Sequence, residues 1–114
     1  MTESATPRVR ADGTYATTAL RQEAITATVA QTRVLGVDGA NPAPDLRRNL
    51  DYFLECIDIA QGFGGRSDLL LFHEFPITGF SEWTREQHYR LALEVPGPET
   101  ELVAQRAKKY NCYI

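Results

Sequence analysis

The stretch that decides the fold is Asp68-Leu-Leu-Leu-Phe-His-Glu-Phe-Pro-Ile-Thr-Gly-Phe80, an apolar run followed by a histidine, a glutamate and a turn. The run from Leu69 to Phe72 is short and contains no polar residue, which is typical of a strand buried on both faces of a parallel sheet. Pro76 and Gly79 follow at once, so the chain is expected to turn away where this strand ends. The sequence therefore places one carboxylate, Glu74, at the carboxyl end of a predicted buried strand.

The residues before this stretch predict a parallel crossover. Ile25 to Gln31 consists mainly of small and β-branched residues, which suit a first strand that is also covered on both sides. Leu35 to Pro44 is rich in glycine and proline and predicts an irregular loop. Apolar residues then recur at the spacing of one helix face, at Leu46, Leu50, Phe53, Leu54 and Ile57. We expect Asp45 to start this helix by accepting hydrogen bonds from its free amides, and Gly62 to help stop it. A helix between two strands implies that the strands are parallel.

The residues after the stretch predict two more helices and the start of a third strand. The helices are expected from about Thr84 to Leu93 and from Glu99 to Tyr110, and Cys112 begins the strand. The series predicts an α/β fold built from parallel β-α-β units. Because a sheet of so few strands lacks partners, we expect the chain to be a piece of a longer protein.

The bulk properties exclude several classes of function. Residues 1–24 have no apolar period and predict a flexible arm, which leaves residues 25–114 as the ordered part. A formal net charge of -3 offers no basic surface for a nucleic acid or an anionic membrane. Neither a membrane helix nor the apolar core of a signal peptide is evident, so we expect a cytoplasmic protein.

Glu74 is the residue whose position suggests chemistry. In open parallel α/β sheets, ligands bind beyond the carboxyl ends of the strands. A carboxylate placed there among Phe72, Phe75 and Phe80 would be partly desolvated, and desolvation raises the pKa of a carboxylate toward the range useful to a general base. The residues alone leave another interpretation open, in which Glu74 is a solvated residue at the start of a loop or one half of an ion pair.

At these residues the sequence resembles the nitrilase superfamily of carbon-nitrogen hydrolases. In that family the first catalytic residue is a glutamate that follows an apolar strand and precedes a phrase like Pro76 to Phe80. The likeness covers about Ile25 to Ile114 and includes, in order, a first strand ending in Ala30-Gln31, a helix that opens with Asn49, the Asp68 to Phe80 phrase, and the break Pro96-Gly97-Pro98 before a helix. His73 departs from the family pattern, since most members have proline before the glutamate.

The resemblance implies both a fold and a reaction. The fold is the N-terminal part of an α-β-β-α sandwich, two sheets covered by helices on their outer faces. The reaction is hydrolysis of an amide or nitrile: a cysteine thiolate attacks the carbon, Glu74 takes the thiol proton as general base, and a lysine stabilises the charge on the tetrahedral intermediate. The lysine and the cysteine of the family lie well downstream of the glutamate, and neither is in this chain. We expect no cofactor, a small amide or nitrile as substrate, and a homo-oligomer at full length.

Other residues that could carry chemistry have simpler structural explanations. Two cysteines, Cys56 and Cys112, are expected to be small buried side chains, and two lysines, Lys108 and Lys109, to be solvated or to stabilise a helix end. His73 and His88 lack a third ligand, so no metal site is expected. If the strand alternated through Glu74, His73 would lie on the opposite face, packed under a helix with its ring nitrogens bonded to backbone.

The sequence also leaves open the role of three aromatic residues and two other classes of function. Trp83, Tyr89 and Phe80 could form one wall of a substrate pocket, or could pack in the core. The chain could be a noncatalytic binding or assembly module that has the same glutamate for structural reasons. A Rossmann-like nucleotide binder is disfavoured, because no glycine-rich turn joins the first strand to the first helix. A lysine and then a cysteine after Ile114, each at a strand end, would support the enzyme.

Overall fold

The computed structural model describes residues 11–14 and 21–114. The elements in chain order are β1 (Ala27–Val29), α1 (Pro42–Phe63), β2 (Leu69–Leu71), α2 (Arg85–Leu91) and α3 (Pro98–Tyr110). Helices and a small parallel sheet make this a mixed α/β structure. Most of the predicted arm, residues 1–24, lies outside the described residues, and the described parts of it, 11–14 and 21–24, are exposed.

The two strands pair as the sequence predicts. They are parallel neighbours, with Ala27 opposite Leu69 and Val29 opposite Leu71. The backbone amide of Ala30 donates to the carbonyl of Leu71 at 2.8 Å, which continues the pairing past the end of β1. Because α1 connects the two strands, the predicted parallel crossover is confirmed.

The predicted third strand is reduced to a single bridge. Tyr113 pairs with Leu69 in parallel orientation. The amide of Leu70 donates to the Tyr113 carbonyl at 2.8 Å, and the Tyr113 amide donates to the Asp68 carbonyl at 2.9 Å. The sequence predicts a third strand that begins at Cys112, and the structure shows a one-residue pairing of this region with the edge of β2.

The expectation that both strands are buried on both faces is wrong for the described chain. Leu70 is 1% exposed, whereas Val29 is 75% and Leu71 is 43% exposed. Because side chains alternate across a strand, Val29 and its partner Leu71 lie on the face opposite to Leu70. Helices thus cover one face of the sheet, and no described element covers the other.

Helix α1 begins earlier than expected, at Pro42 rather than Asp45. Proline is well tolerated in a first helical turn because the amide that it lacks would have no partner within the helix. The N-cap residue, Asn41, makes no side-chain capping bond. Asp45 lies in the first turn, but its carboxylate accepts the amide of Asp38 at 2.8 Å rather than a helix amide. The capping role predicted for Asp45 is therefore wrong, while its negative charge still suits the helix dipole.

The other two helices fall close to their predicted positions. Helix α2 starts with a capping box, in which Thr84 accepts the amide of Gln87 and the Gln87 side chain accepts the amide of Thr84. It ends at Leu91, two residues before the predicted end, and α3 begins one residue early, at Pro98. No described helix has the length and apolar character that spanning a membrane would require.

The core lies between α1 and the sheet. It consists of Leu50, Phe53, Leu54 and Ile57 from α1, Leu70 from β2, and Ile77 from the loop beyond β2. Helix α3 has no buried residue of its own, and it covers this core through partly buried side chains such as Leu102 and Val103. The predicted apolar face of α1 is confirmed as the centre of the fold.

An ionic cluster joins α3 to α1. Asp58 on α1 accepts hydrogen bonds from Arg106 Nε at 3.1 Å and from the Tyr110 hydroxyl at 2.6 Å, and Lys109 Nζ lies 3.9 Å away. Partial burial raises the pKa of Asp58, but the bonds from Tyr110 and Arg106 and the two positive charges outweigh it, so this pKa lies below its ordinary value. The carboxylate form of Asp58 is therefore the form that holds the two helices together.

A lowered native pKa makes this contribution depend on pH in one direction. The stabilisation is present above the ordinary aspartate value of 3.8 and is lost as the pH falls through the lower native value. Because the Asp58 side chain is 35% exposed, we expect Asp58→Asn to cost no more than about 1 kcal/mol at neutral pH. Urea unfolding should show that this difference from wild type disappears in strong acid. Asp51→Asn, which removes an exposed ion pair from the same helix, should change little at either pH, and an equal loss in both variants would contradict the assignment.

Candidate active site

Glu74 lies beyond the carboxyl end of β2, in a bend three residues after Leu71. The predicted alternation through Glu74 is wrong, because the strand has already ended. The loop that follows β1 lies against the segment that follows Glu74, since Leu35 approaches Gly79 and Asn49 bonds to both Leu35 and Ile77. The two carboxyl ends of the parallel strands therefore converge on the region of Glu74, which is the edge where open α/β sheets bind ligands.

The Glu74 side chain is exposed, and its carboxylate forms no hydrogen bond or ion pair within the described residues. The expected apolar surroundings do not form. Phe72 packs edge to face against Phe53, with ring centroids 4.7 Å apart, and so belongs to the core side. Phe75 instead contacts Phe80 at 5.2 Å, and Phe80 is 66% exposed. The desolvation predicted for Glu74 is therefore absent from this chain.

Asn49 fixes the backbone on both sides of this region. It is fully buried on α1, and its Nδ2 donates to the carbonyl of Leu35 at 3.0 Å and to that of Ile77 at 2.9 Å. Arg48 donates to the Asn49 Oδ1 at 3.0 Å and to the carbonyl of Gly36 at 2.6 Å. One buried amide thus ties the loop after β1 to the segment after Glu74.

Gly79 allows these two segments to approach each other closely. Its φ of +66° lies in the left-handed region, and a Cβ at this position would meet the Leu35 carbonyl oxygen at 2.2 Å. Real Cβ atoms do not approach that closely, so only glycine fits here without a shift of the backbone. Ile77, two residues earlier, is buried in the core. The segment Ile77 to Gly79 is therefore fixed by backbone contact, by a buried amide and by packing.

His73 is oriented by its own backbone. The amide of Phe75 donates to His73 Nδ1 at 3.1 Å, while Nε2 is buried and has no partner among the described residues. The prediction that the ring nitrogens bond to backbone holds for Nδ1 and fails for Nε2. The bond is local, spanning only two residues, because the chain has left the strand by this point.

The three aromatic residues after the motif separate into two places. Trp83 and Phe80 line a cavity of about 300 Å³ together with Phe75, and the Trp83 indole donates to the carbonyl of Val37 at 3.3 Å. Tyr89 lines a different, shallower depression on α2, where it is 70% exposed beneath the guanidinium of Arg85. Trp83 and Phe80 thus line one cavity, but neither Tyr89 nor Glu74 is among its lining residues, so the predicted three-residue wall of a substrate pocket does not form as a unit.

The remaining candidates lie away from Glu74. Tyr113 pairs with Leu69, the first residue of β2, and Cys112 comes one residue before Tyr113. Cys112 therefore lies at the amino end of β2, whereas Glu74 lies beyond its carboxyl end. Cys56 is on α1, and both thiols are free and half-buried rather than fully buried. Lys108 and Lys109 are exposed in the last turn of α3, as expected. Within 11–14 and 21–114, no group of three or more potential ligands could hold a metal ion.

Sequence reasoning had one signal for Asn49 beyond the family resemblance. A polar residue at this position interrupts an otherwise apolar helix face, and a buried polar side chain is normally hydrogen-bonded. Its partners, 14 and 28 residues away in the chain, could not be identified from that signal alone.

Comparison with known proteins gives no further identification, since no family model, curated protein or solved structure matches the chain.

Proposed function

We propose that this chain is the N-terminal segment of a nitrilase-type hydrolase that cleaves a non-peptide carbon-nitrogen bond in an amide or a nitrile. Glu74 would be the general base, and the cysteine nucleophile and the lysine would come from residues outside the chain. The observation that carries the proposal is an unengaged carboxylate on a loop whose following segment is rigidly fixed, at the carboxyl ends of two parallel strands.

The absence of a partner for Glu74 in the described chain bears on the choice between interpretations. A general base needs a free lone pair directed at the proton that it takes. A glutamate in a structural ion pair would be held toward its partner and would have some of its acceptor sites engaged there, and no such pair involves Glu74 in the described residues. A merely solvated glutamate is also unpaired, but its segment would have no need of Asn49 and Gly79 to fix the backbone beyond it.

The open face of the sheet supports the sandwich as part of the same proposal. Val29 and Leu71 lie side by side on it and are 75% and 43% exposed. A second sheet packed there would bury these side chains and gain the stabilisation of apolar burial. The same layer would remove water from the carboxyl ends of the strands, which would supply the desolvation that Glu74 lacks in this chain.

The open face also suits the alternative function, a noncatalytic binding or assembly module. Tyr113 at 80% exposure extends the apolar patch of Val29 beyond the edge of β2. Patches of this kind mark interaction surfaces when they are large. The sequence after Ile114 discriminates the two, because only the enzyme needs a lysine and a cysteine there. Under the hydrolase proposal the full-length protein is a cytoplasmic homo-oligomer that needs no cofactor.

The test compares the 114-residue chain with a longer chain, and the wild-type longer chain with its Glu74→Gln variant. We expect the 114-residue chain to hydrolyse neither amides nor nitriles, because it has no placed nucleophile. In a longer chain that carries the lysine and the cysteine, Glu74→Gln should keep the fold and lower kcat by about a hundredfold to ten-thousandfold, since the amide cannot accept the thiol proton. The readouts are ammonia release and the midpoint of thermal unfolding.

Glu82→Gln is the matched control, since Glu82 is an exposed glutamate in the same loop region and forms no hydrogen bond within the described residues. It should retain full activity. Full activity of Glu74→Gln in the longer chain would show that Glu74 is structural. Turnover by the 114-residue chain that disappears in Glu74→Gln would show that the nucleophile lies within this chain.

A further inference from the structure

We infer that His73 is a positioning residue for Glu74, holding the glutamate backbone by accepting the amide hydrogen of Phe75 on its imidazole Nδ1. This inference rests on the proposed function, in which Glu74 is the base. It adds a second residue to the site, one that acts through Glu74 and need not touch the substrate.

The bond closes a small ring around Glu74. His73 Nδ1 and the Phe75 nitrogen are 3.1 Å apart, and the two peptide units between them are those on either side of Glu74. It is the side-chain hydrogen bond that spans Glu74 in the described chain, and a turn at residues 76–78 follows it. Outside this ring the chain is held by the packing of Phe72 on one side and of Ile77 on the other against the core.

The protonation of the ring follows from the bond. An amide can donate only to a nitrogen that carries no hydrogen, so the neutral imidazole bears its proton on Nε2. That Nε2–H is buried and unpartnered among the described residues. A buried donor without an acceptor is unfavourable, and an apolar side chain would fill the same space without that cost. An apolar side chain could not accept the Phe75 amide, which is what the histidine contributes here.

Fixing this backbone matters for a base. The Glu74 carboxylate must come within hydrogen-bond reach, roughly 2.6–3.2 Å, of the group that it deprotonates. A shift on the order of 1 Å in a catalytic group can cost about a hundredfold in rate. Because Glu74 lies beyond the strand, no ladder hydrogen bond limits such a shift. The His73 bond limits it on the side of the strand, and the fixed segment from Ile77 to Gly79 limits it on the other side.

The structural arm of the test uses this chain. Nitrogen NMR should show the neutral His73 ring protonated on Nε2, and hydrogen exchange should show protection of the Phe75 amide. His73→Phe should remove that protection, because it has no acceptor. His73→Asn should restore it, because the Asn oxygen branches from the same carbon position and accepts an amide two residues on. Equal exchange in the wild-type protein and His73→Phe would overturn the inference.

The functional arm uses the longer chain with its nucleophile. His73→Phe should lower kcat by about tenfold to a hundredfold with little change in KM, and His73→Asn should recover most of the loss. Wild-type kcat in His73→Phe, or equal losses in both variants at an unchanged thermal midpoint, would overturn the positioning role. Glu74→Gln measured alongside separates the two proposals. Full activity of Glu74→Gln would refute Glu74 as the general base, whereas an inactive Glu74→Gln together with a fully active His73→Phe would refute only the positioning role of His73.

Discussion

Gly79→Ala is expected to lower the free energy of unfolding by about 3 to 5 kcal/mol, a large part of the stability of a small domain. Two costs add at this position. An alanine at a φ of +66° costs about 1 to 2 kcal/mol, because its Cβ crowds its own backbone in the left-handed region. The same Cβ would lie 2.2 Å from the Leu35 oxygen, so the backbone must move and the Asn49 bond to that oxygen must weaken.

Gly65→Ala separates the two costs. Gly65 has a φ of +77°, and a Cβ there would meet nothing within 4 Å. It therefore carries the conformational cost alone, and we expect a loss of about 1 kcal/mol. Urea denaturation of both variants measures the difference. Equal losses would show that the segment after Glu74 does not approach the loop after β1 as closely as the structure has it.

The parts of the fold that the sequence predicts are those set by local patterns. The apolar spacing from Leu46 to Ile57 depends only on helix geometry, and it identified the core face of α1. The β-branched and apolar runs around Val29 and Leu71 identified two strands, and the helix between them required that they be parallel. The elements themselves follow from residues a few positions apart, and the parallel pairing follows from their order along the chain.

The parts that the sequence could not predict depend on distant layers. Val29 and Leu71 look like residues of a sheet covered on both sides, but their exposure depends on whether another layer packs there. The same holds for Glu74, because Phe72 packs on the core side while Phe75 and Phe80 contact each other, and these aromatic residues do not enclose the carboxylate. An apolar pattern indicates which residues need to be buried, but it cannot identify the element that buries them.

The helix start shows a different limit. Asp45 has the side chain of a capping residue, but Pro42 allowed the helix to begin three positions earlier, and the carboxylate became the acceptor for the loop amide of Asp38. A proline in the first turn and an aspartate cap are both compatible with a helix start, so the two signals here gave two possible first residues. Local signals therefore predict that a helix exists with more accuracy than where it starts.

Asn49→Ala is the second large effect, and we expect it to lower the free energy of unfolding by about 3 to 5 kcal/mol. The substitution removes both donors to the carbonyls of Leu35 and Ile77. The buried Ile77 carbonyl left without this donor costs about 1 to 3 kcal/mol, the partly buried Leu35 carbonyl adds less, and the removed side chain was fully buried. Alanine is a good helix former, so α1 itself should persist.

Gln61→Ala is the matched control, because Gln61 is another buried amide on α1 whose bonds, to the backbone of Ser67, lie at the other end of the helix. Both variants should lose stability. Only Asn49→Ala should speed hydrogen exchange in the segment from Ile77 to Gly79 and, in a chain that carries the nucleophile, lower kcat as well. If Gln61→Ala has the same effect on that segment, then Asn49 contributes to the stability of the domain as a whole and does not specifically fix the loop that presents Glu74.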